Sequence, residues 1–179
     1  MARLYASCAG GTIISPDGAL QPSWRFMLRQ PAHVIALSAG AGLAPVAPGT
    51  AGTLLAFPLY WLLASVCSPV QVLASIAGAF MLGIWACDAT GRALGVADHG
   101  AMVWDEVVAF ALVLAFTPAG WLWQAGAFLL FRFFDILKPP PIRYFDRKLK
   151  SGFGVMFDDI LAAFYTLLAL ALAKILTGG

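Results

Sequence analysis

The stretch Val107-Val-Ala-Phe-Ala-Leu-Val-Leu-Ala-Phe-Thr-Pro118-Ala-Gly-Trp-Leu-Trp-Gln-Ala-Gly-Ala-Phe-Leu-Leu-Phe-Arg-Phe-Phe134 decides how this chain folds. It is apolar almost throughout, and Thr117-Pro118-Ala119-Gly120 interrupts it near the middle, where proline and glycine punctuate a turn. An unbroken helix would carry the polar segments on its two sides to opposite faces. A turn at Pro118 returns them to one face. Trp121 and Trp123 directly follow the break, and indoles favour a membrane–water interface, so the broken reading is preferred to a kinked single span.

Working outward, Thr53 to Cys67 and Gln71 to Cys87 are apolar and separated by Ser68-Pro69, which reads as a second helical hairpin, and Ile160 to Leu176 forms a last apolar arm. The expected architecture is an all-α integral membrane protein built of helical hairpins, with about four to five short apolar helices and its polar loops on one face. Each arm has roughly 10 to 17 residues where about 20 are needed to cross ~30 Å of hydrocarbon. Arms that stop short would form re-entrant hairpins or sit in a thinned bilayer.

Composition supports a bilayer. Of 179 residues, 61% are hydrophobic and 11% charged, against about 25% charged in soluble domains. So little polar surface cannot cover a water-soluble globule. The net charge of +2 and the lack of a basic stripe interleaved with aromatics exclude nucleic acid as a partner, and no obligate protein partner is inferred. Cys8, Cys67 and Cys87 are odd in number and form no C-x-x-C pair, which suggests embedded thiols and not a disulfide framework. Residues 31–179 read as a single membrane domain. Residues 1–30 hold Gly10, Gly11, Pro16, Gly18 and Pro22 without an apolar run of signal-peptide length, so they read as a flexible, uncleaved lead-in.

Granting both hairpins, nearly all charge falls on one side: Asp88, Asp98, Asp105, Glu106, Asp135, Asp146, Asp158 and Asp159, with Arg92, Arg132, Lys138, Arg143, Arg147, Lys148 and Lys150. Lys174 alone approaches the other. An excess of Lys and Arg in short loops marks the cytoplasmic face. For Arg147, Lys148 and Lys150, orienting the chain and attracting anionic lipid is a sufficient role.

Asp105-Glu106 and Asp158-Asp159 each abut the start of an apolar arm. Helix N-termini favour negative charge, so capping explains one acid of each pair. It does not require two. Aiming both pairs at a bound Mg²⁺ would remove the repulsion, because that ion takes oxygen ligands, commonly carboxylates together with waters and a substrate phosphate. Asp135 follows an apolar arm with Lys138 one turn on. This reads either as an ion pair at i,i+3 or as an ionisable residue at membrane depth, which is a functional candidate by default. Lys138-Pro139-Pro140-Pro141-Ile142-Arg143 reads as a stiff polyproline-like spacer that holds two cations apart for an anionic group, Arg143 offering a bidentate fork that Asp146 would orient. His99 stands ahead of Asp105 and is either a proton donor to a leaving oxygen or an ordinary surface histidine. The Gly42–Thr53 stretch, including Gly49 and Thr50, either presents amides to phosphate or only allows tight packing.

Taken together, these segments resemble the phosphatidylglycerophosphatase A family. The resemblance rests on Gly42-Leu-Ala-Pro-Val-Ala-Pro-Gly-Thr-Ala-Gly-Thr53, on Asp98-His-Gly-Ala-Met-Val-Trp-Asp-Glu106, on Phe131-Arg-Phe-Phe-Asp-Ile-Leu-Lys-Pro-Pro-Pro-Ile-Arg-Tyr-Phe-Asp146, and on Gly152-Phe-Gly-Val-Met-Phe-Asp-Asp159. It implies hydrolysis of the phospholipid phosphatidylglycerophosphate to phosphatidylglycerol and inorganic phosphate, dependent on Mg²⁺, at a bacterial inner membrane. By resemblance Asp105, Glu106, Asp135, Asp158 and Asp159 form the acidic set, with Lys138 and Arg143 as phosphate contacts.

Other phosphatase designs are not matched. Cys87 and Arg92 are separated by four residues where a phosphocysteine loop has five, and no Asp-x-Asp is present. The rival readings are a transporter or a metal or proton channel using paired intramembrane carboxylates, and a scaffold whose acids only cap helices. One-sided charge and the lack of inverted repeats count against transport.

Overall fold

The computed structural model describes residues 6–7, 12–14, 20–140 and 142–176. Its helices, in chain order, are α1 (Trp24–Met27), α2 (Pro31–Ala36), α3 (Pro48–Val66), α4 (Pro69–Leu94), α5 (Trp104–Phe116), α6 (Trp121–Leu137), α7 (Ile142–Lys148) and α8 (Gly152–Leu176), with a 3-10 segment at Ser38–Leu43. Three short antiparallel strands, β1 (Ala6–Ser7), β2 (Thr12–Ile14) and β3 (Leu20–Pro22), precede them in the order β1-β2-β3.

Local chemistry sets the helix ends. Ser68 begins α4 with a reciprocal capping box, its hydroxyl accepting the Gln71 N–H while Gln71 Oε1 accepts the Ser68 N–H at 2.8 Å, and Pro69 fills the first helical position. Gly95 closes α4 at φ 73, a left-handed conformation open to glycine at little cost. The break between α5 and α6 falls at Thr117–Gly120, where Gly120 has φ 127. The expected break at Pro118 is therefore present.

The arms are less uniform than the apolar runs suggest. α3, α4 and α8 have 19, 26 and 25 residues and are long and apolar enough to cross a membrane, so three of the five apolar helices are not short. α4 continues past Cys87 to Leu94, and α8 begins at Gly152, well before Ile160. Both helices therefore reach beyond the expected arms, through segments that carry Asp88 and Arg92 in α4 and Asp158 and Asp159 in α8. α5, with 13 residues, rises only about 20 Å.

α5 is the central element, packed against α3, α4, α6 and α8, while α8 also contacts α4, α6 and α7. Ala56, Ala86, Ala109, Ala127, Ala162 and Ala163 are all fully buried. Small residues let backbones approach where lipid supplies no hydrophobic drive between helices. Phe110 fills the centre, with its ring 5.1 Å from Phe57 and 5.4 Å from Phe131. Trp61, Met81, Trp85, Leu129, Phe164, Leu168 and Leu172 face outward, the apolar exterior that a bilayer solvates. The chain is an all-α membrane protein.

The polar connections share one end of the bundle. Val96 and Ala97, after α4, line a cavity of about 240 Å³ with Lys150 and Ser151, before α8, and with Gly152 at its start. Gly152 lies so close to the α4 backbone that a Cβ there would collide with the Ile84 carbonyl.

In the segment expected as a lead-in, the described residues form β1 to β3 and α1, and Phe26 and Met27 are buried. Phe26 stacks on His33 with centroids 4.3 Å apart, and His33 Nδ1 lies 2.9 Å from Thr90 Oγ1. Burial pushes the His33 pKa below its usual value. The packed unit thus takes in α1 as well as the residues from 31 onward. Cys8 and the side chain of Asp146 lie outside the described residues.

Candidate active site

Four helices deliver polar side chains to one centre. α3 contributes Gly49 and Thr53 near its start, α5 contributes Asp105 and Glu106 in its first turn, α6 contributes Arg132 and Asp135 near its end, and α8 contributes Asp158 and Asp159 in its second turn. The hairpin turn at Pro118 is what brings the start of α5 and the end of α6 to one level.

Arg132 is the hub. Its Nη1 lies 3.1 Å from Glu106 Oε2, 2.7 Å from Asp135 Oδ2 and 3.4 Å from Thr53 Oγ1. The Thr53 hydroxyl donates to the Gly49 carbonyl at 2.9 Å and is 3.4 Å from Glu106 Oε2. Gly49 is pressed against that carboxylate, since a Cβ on it would collide with both Glu106 oxygens. Lys138 pairs with Asp158. Asp105, Asp158 and Asp159 are 7%, 3% and 3% exposed.

Asp105, Glu106, Asp135, Asp158 and Asp159 cluster: Asp159 is repelled by the other four, and Asp105 by Glu106 and Asp158, with Asp98 adding its charge at Asp105. Among the described residues, Arg132 and Lys138 are the cations paired with these five carboxylates. Buried like charges are costly, so positive charge placed among them is stabilising. Asp105 Oδ1 and Asp159 Oδ2, both buried, have no hydrogen-bond partner.

Those orphaned oxygens are hard donors of the kind a divalent cation such as Mg²⁺ takes, and the donor chemistry fits. Among the described residues no group of three or more His, Cys, Asp or Glu side chains is placed to hold a metal ion by itself. Mg²⁺ does not demand one, because waters and phosphate commonly complete its shell.

Several expectations need correction. Asp158 and Asp159 do not abut the start of their helix, because α8 begins at Gly152 and holds both in its second turn, so capping does not account for them. Asp135 pairs with Arg132 and not with Lys138. Lys138 sits at φ 42, off the end of α6, which swings it away from the i,i+3 position and toward α8. Lys138 to Arg143 is not a straight spacer either. A turn at Pro139–Pro140 leads into α7, with the Ile142 N–H bonded to the Pro139 carbonyl at 2.8 Å. Arg143 is exposed on α7, its guanidinium turned to the Leu137 carbonyl at 3.2 Å.

Thr50 is half-buried in the first turn of α3. His99 accepts the Ala101 N–H at Nδ1, 3.1 Å away, and lines a cavity with the Gly42–Pro45 turn and Pro48. Arg132 and Thr53 were not singled out by sequence reasoning. The available signal for Arg132 was a lone cation inside an apolar arm, three residues before Asp135.

Fold and site together define an all-helical membrane protein whose polar end carries a buried carboxylate and cation centre. The chain belongs to the phosphatidylglycerophosphatase A family, whose model matches residues 34–174. This is a family of phosphatases, and the chain is an enzyme of that class. It is 47% identical to phosphatidylglycerophosphatase A of Haemophilus influenzae, over 82% of this chain and 91% of that one. It is 39% identical to phosphatidylglycerophosphatase A of Escherichia coli, over 77% of this chain and 80% of that one. A protein of Bacteroides thetaiotaomicron, provisionally named a phosphatidylinositol-3-phosphatase, is 37% identical over 78% of this chain and 91% of its own. No solved structure matches.

Proposed function

We propose that this enzyme hydrolyses phosphatidylglycerophosphate to phosphatidylglycerol and inorganic phosphate, at the cytoplasmic face of a bacterial inner membrane. The observation that carries the reading is the centre in which Arg132 and Lys138 stand among five carboxylates at the polar end of the bundle, in a chain whose relatives bear that activity in their names. The excess of Lys and Arg at that end supports a cytoplasmic orientation.

Asp105 and Asp159, with Asp158, Glu106 or Asp135 beside them, would hold Mg²⁺. Bound there, the ion supplies Lewis-acid polarisation of the phosphoryl group. Arg132 and Lys138 exchange a carboxylate partner for phosphate oxygens and stabilise charge developing on them. Arg143 on α7 adds a further cation, and the Gly49 and Thr50 amides at the start of α3 face the anion. A carboxylate not committed to a cation takes the proton of the attacking water and passes it to the leaving glycerol oxygen, toward which the His99 Nε2–H donates a hydrogen bond. The acyl chains remain among the lipid-facing helices.

The Bacteroides relative makes phosphoinositide the competing headgroup. The test is phosphate release by the purified protein from phosphatidylglycerophosphate, phosphatidylinositol 3-phosphate and phosphatidic acid, with and without EDTA. Release from the first substrate, lost with EDTA and restored by Mg²⁺, is expected. Absence of release, accompanied by ion flux in liposomes, would favour the transport reading instead.

A further inference from the structure

Beside the carboxylate centre lies a cavity of about 530 Å³, walled by Gln21, the Gly42–Pro45 turn, Pro48 and His99–Ala101. Both walls run straight into the centre. Pro48 precedes Gly49, which abuts Glu106, and Ala101 leads through Val103 to Asp105. The walls are also locked together, because Gly42 packs on the Ala101 backbone so closely that a Cβ would strike its carbonyl. The cavity is thus a fixed feature of the polar end.

Among the described residues, its lining carries no Asp, Glu, Lys or Arg. The cations that suit phosphate are Arg132 and Lys138, within the centre next door. A neutral cavity beside an anion site fits a neutral, hydrogen-bonding group attached to that anion. In the neutral His99 ring, acceptance of the Ala101 N–H at Nδ1 places the proton on Nε2, and Gln21 adds an amide able both to donate and to accept.

We infer that this cavity receives the headgroup alcohol, the glycerol that carries the scissile phosphate, with Gln21 and His99 as its hydrogen-bonding groups. The inference rests on the phosphatase reading above and deepens it by assigning headgroup selection. Gln21 and Pro22 precede the matched residues 34–174, so this chain's own leading segment supplies one wall.

The test compares sn-glycerol 3-phosphate with inorganic phosphate by titration calorimetry on the full chain, wild type against Gly100→Leu. Gly100 lines the cavity, and a Cβ there meets nothing within 4 Å, so leucine can enter the space. Wild type is expected to bind glycerol 3-phosphate about tenfold more tightly than phosphate, and Gly100→Leu to bring the two within about twofold. In the lipid assay the same variant should raise KM about tenfold with kcat little changed, which ties the effect to the headgroup of the lipid and not to a free metabolite. Gln21→Ala, at an exposed position, gives the same comparison if the leucine variant does not fold. Equal wild-type affinities for the two ligands, or an unchanged ratio in folded variants, would overturn the assignment. Phosphate release by wild type, measured alongside, reports separately on the phosphatase reading.

Discussion

The Arg132 guanidinium lies 3.1 Å from the Glu106 carboxylate, joining the end of α6 to the first turn of α5. The same nitrogen holds Asp135, so a single cation keeps two carboxylates of the centre within reach of each other. Arg132→Ala is expected to lower kcat about 100-fold and to destabilise the protein by about 3–5 kcal/mol, as for a broken buried pair. Arg132→Lys keeps the charge but loses the planar fork, and should recover stability more fully than rate. Phosphate release and thermal unfolding in detergent check both parts.

Gly49→Ala separates function from folding. The added methyl would displace the Glu106 carboxylate, the far end of a flexible side chain, and not a backbone atom. Stability should change by no more than about 1 kcal/mol, while activity falls at least about tenfold because Glu106 is moved from Arg132. Steady-state kinetics beside a melting curve measure the split.

Much of this architecture is legible in residue order. Pro118 and Gly120 mark the hairpin, Ser68-Pro69-Val-Gln71 marks the start of α4, and the doubled acids mark the centre. The limits of α4 and α8 are not, because α4 runs on through Asp88 and Arg92 to Leu94 and α8 starts at Gly152, ahead of Asp158 and Asp159. Lys138 illustrates a second limit. Its left-handed backbone sends it to Asp158, twenty residues away in sequence, and no helical spacing rule anticipates that. Arg132 was hidden by its apolar neighbours, and its partners Thr53 and Glu106 become visible only once α3 and α5 are packed against α6.

Asp159→Asn should make the protein more stable and inactive. Asp159 is 3% exposed, has an orphaned oxygen and stands among other carboxylates, so replacing it with a neutral amide of the same shape relieves repulsion. The expected rise in Tm is about 2–4 °C per kcal/mol relieved, with phosphate release abolished. Such a trade marks a centre kept under strain for function.

Mg²⁺ should stabilise wild type by mass action, raising Tm as its concentration passes the dissociation constant, by about 2.7 kcal/mol at a hundredfold excess over that constant. Asp105→Asn and Asp159→Asn should blunt the response. Equal shifts in all three proteins would place the bound ion elsewhere.

The most direct measurement is of sidedness. Cysteines are introduced singly at Ala97 and Lys150, which line one cavity, in a chain freed of its three native cysteines. They are then labelled with an impermeant maleimide in vesicles of both orientations. Both positions should react from the same compartment. Reaction from opposite compartments would put α5 and α8 out of register across the bilayer, leaving no centre for their carboxylates to share.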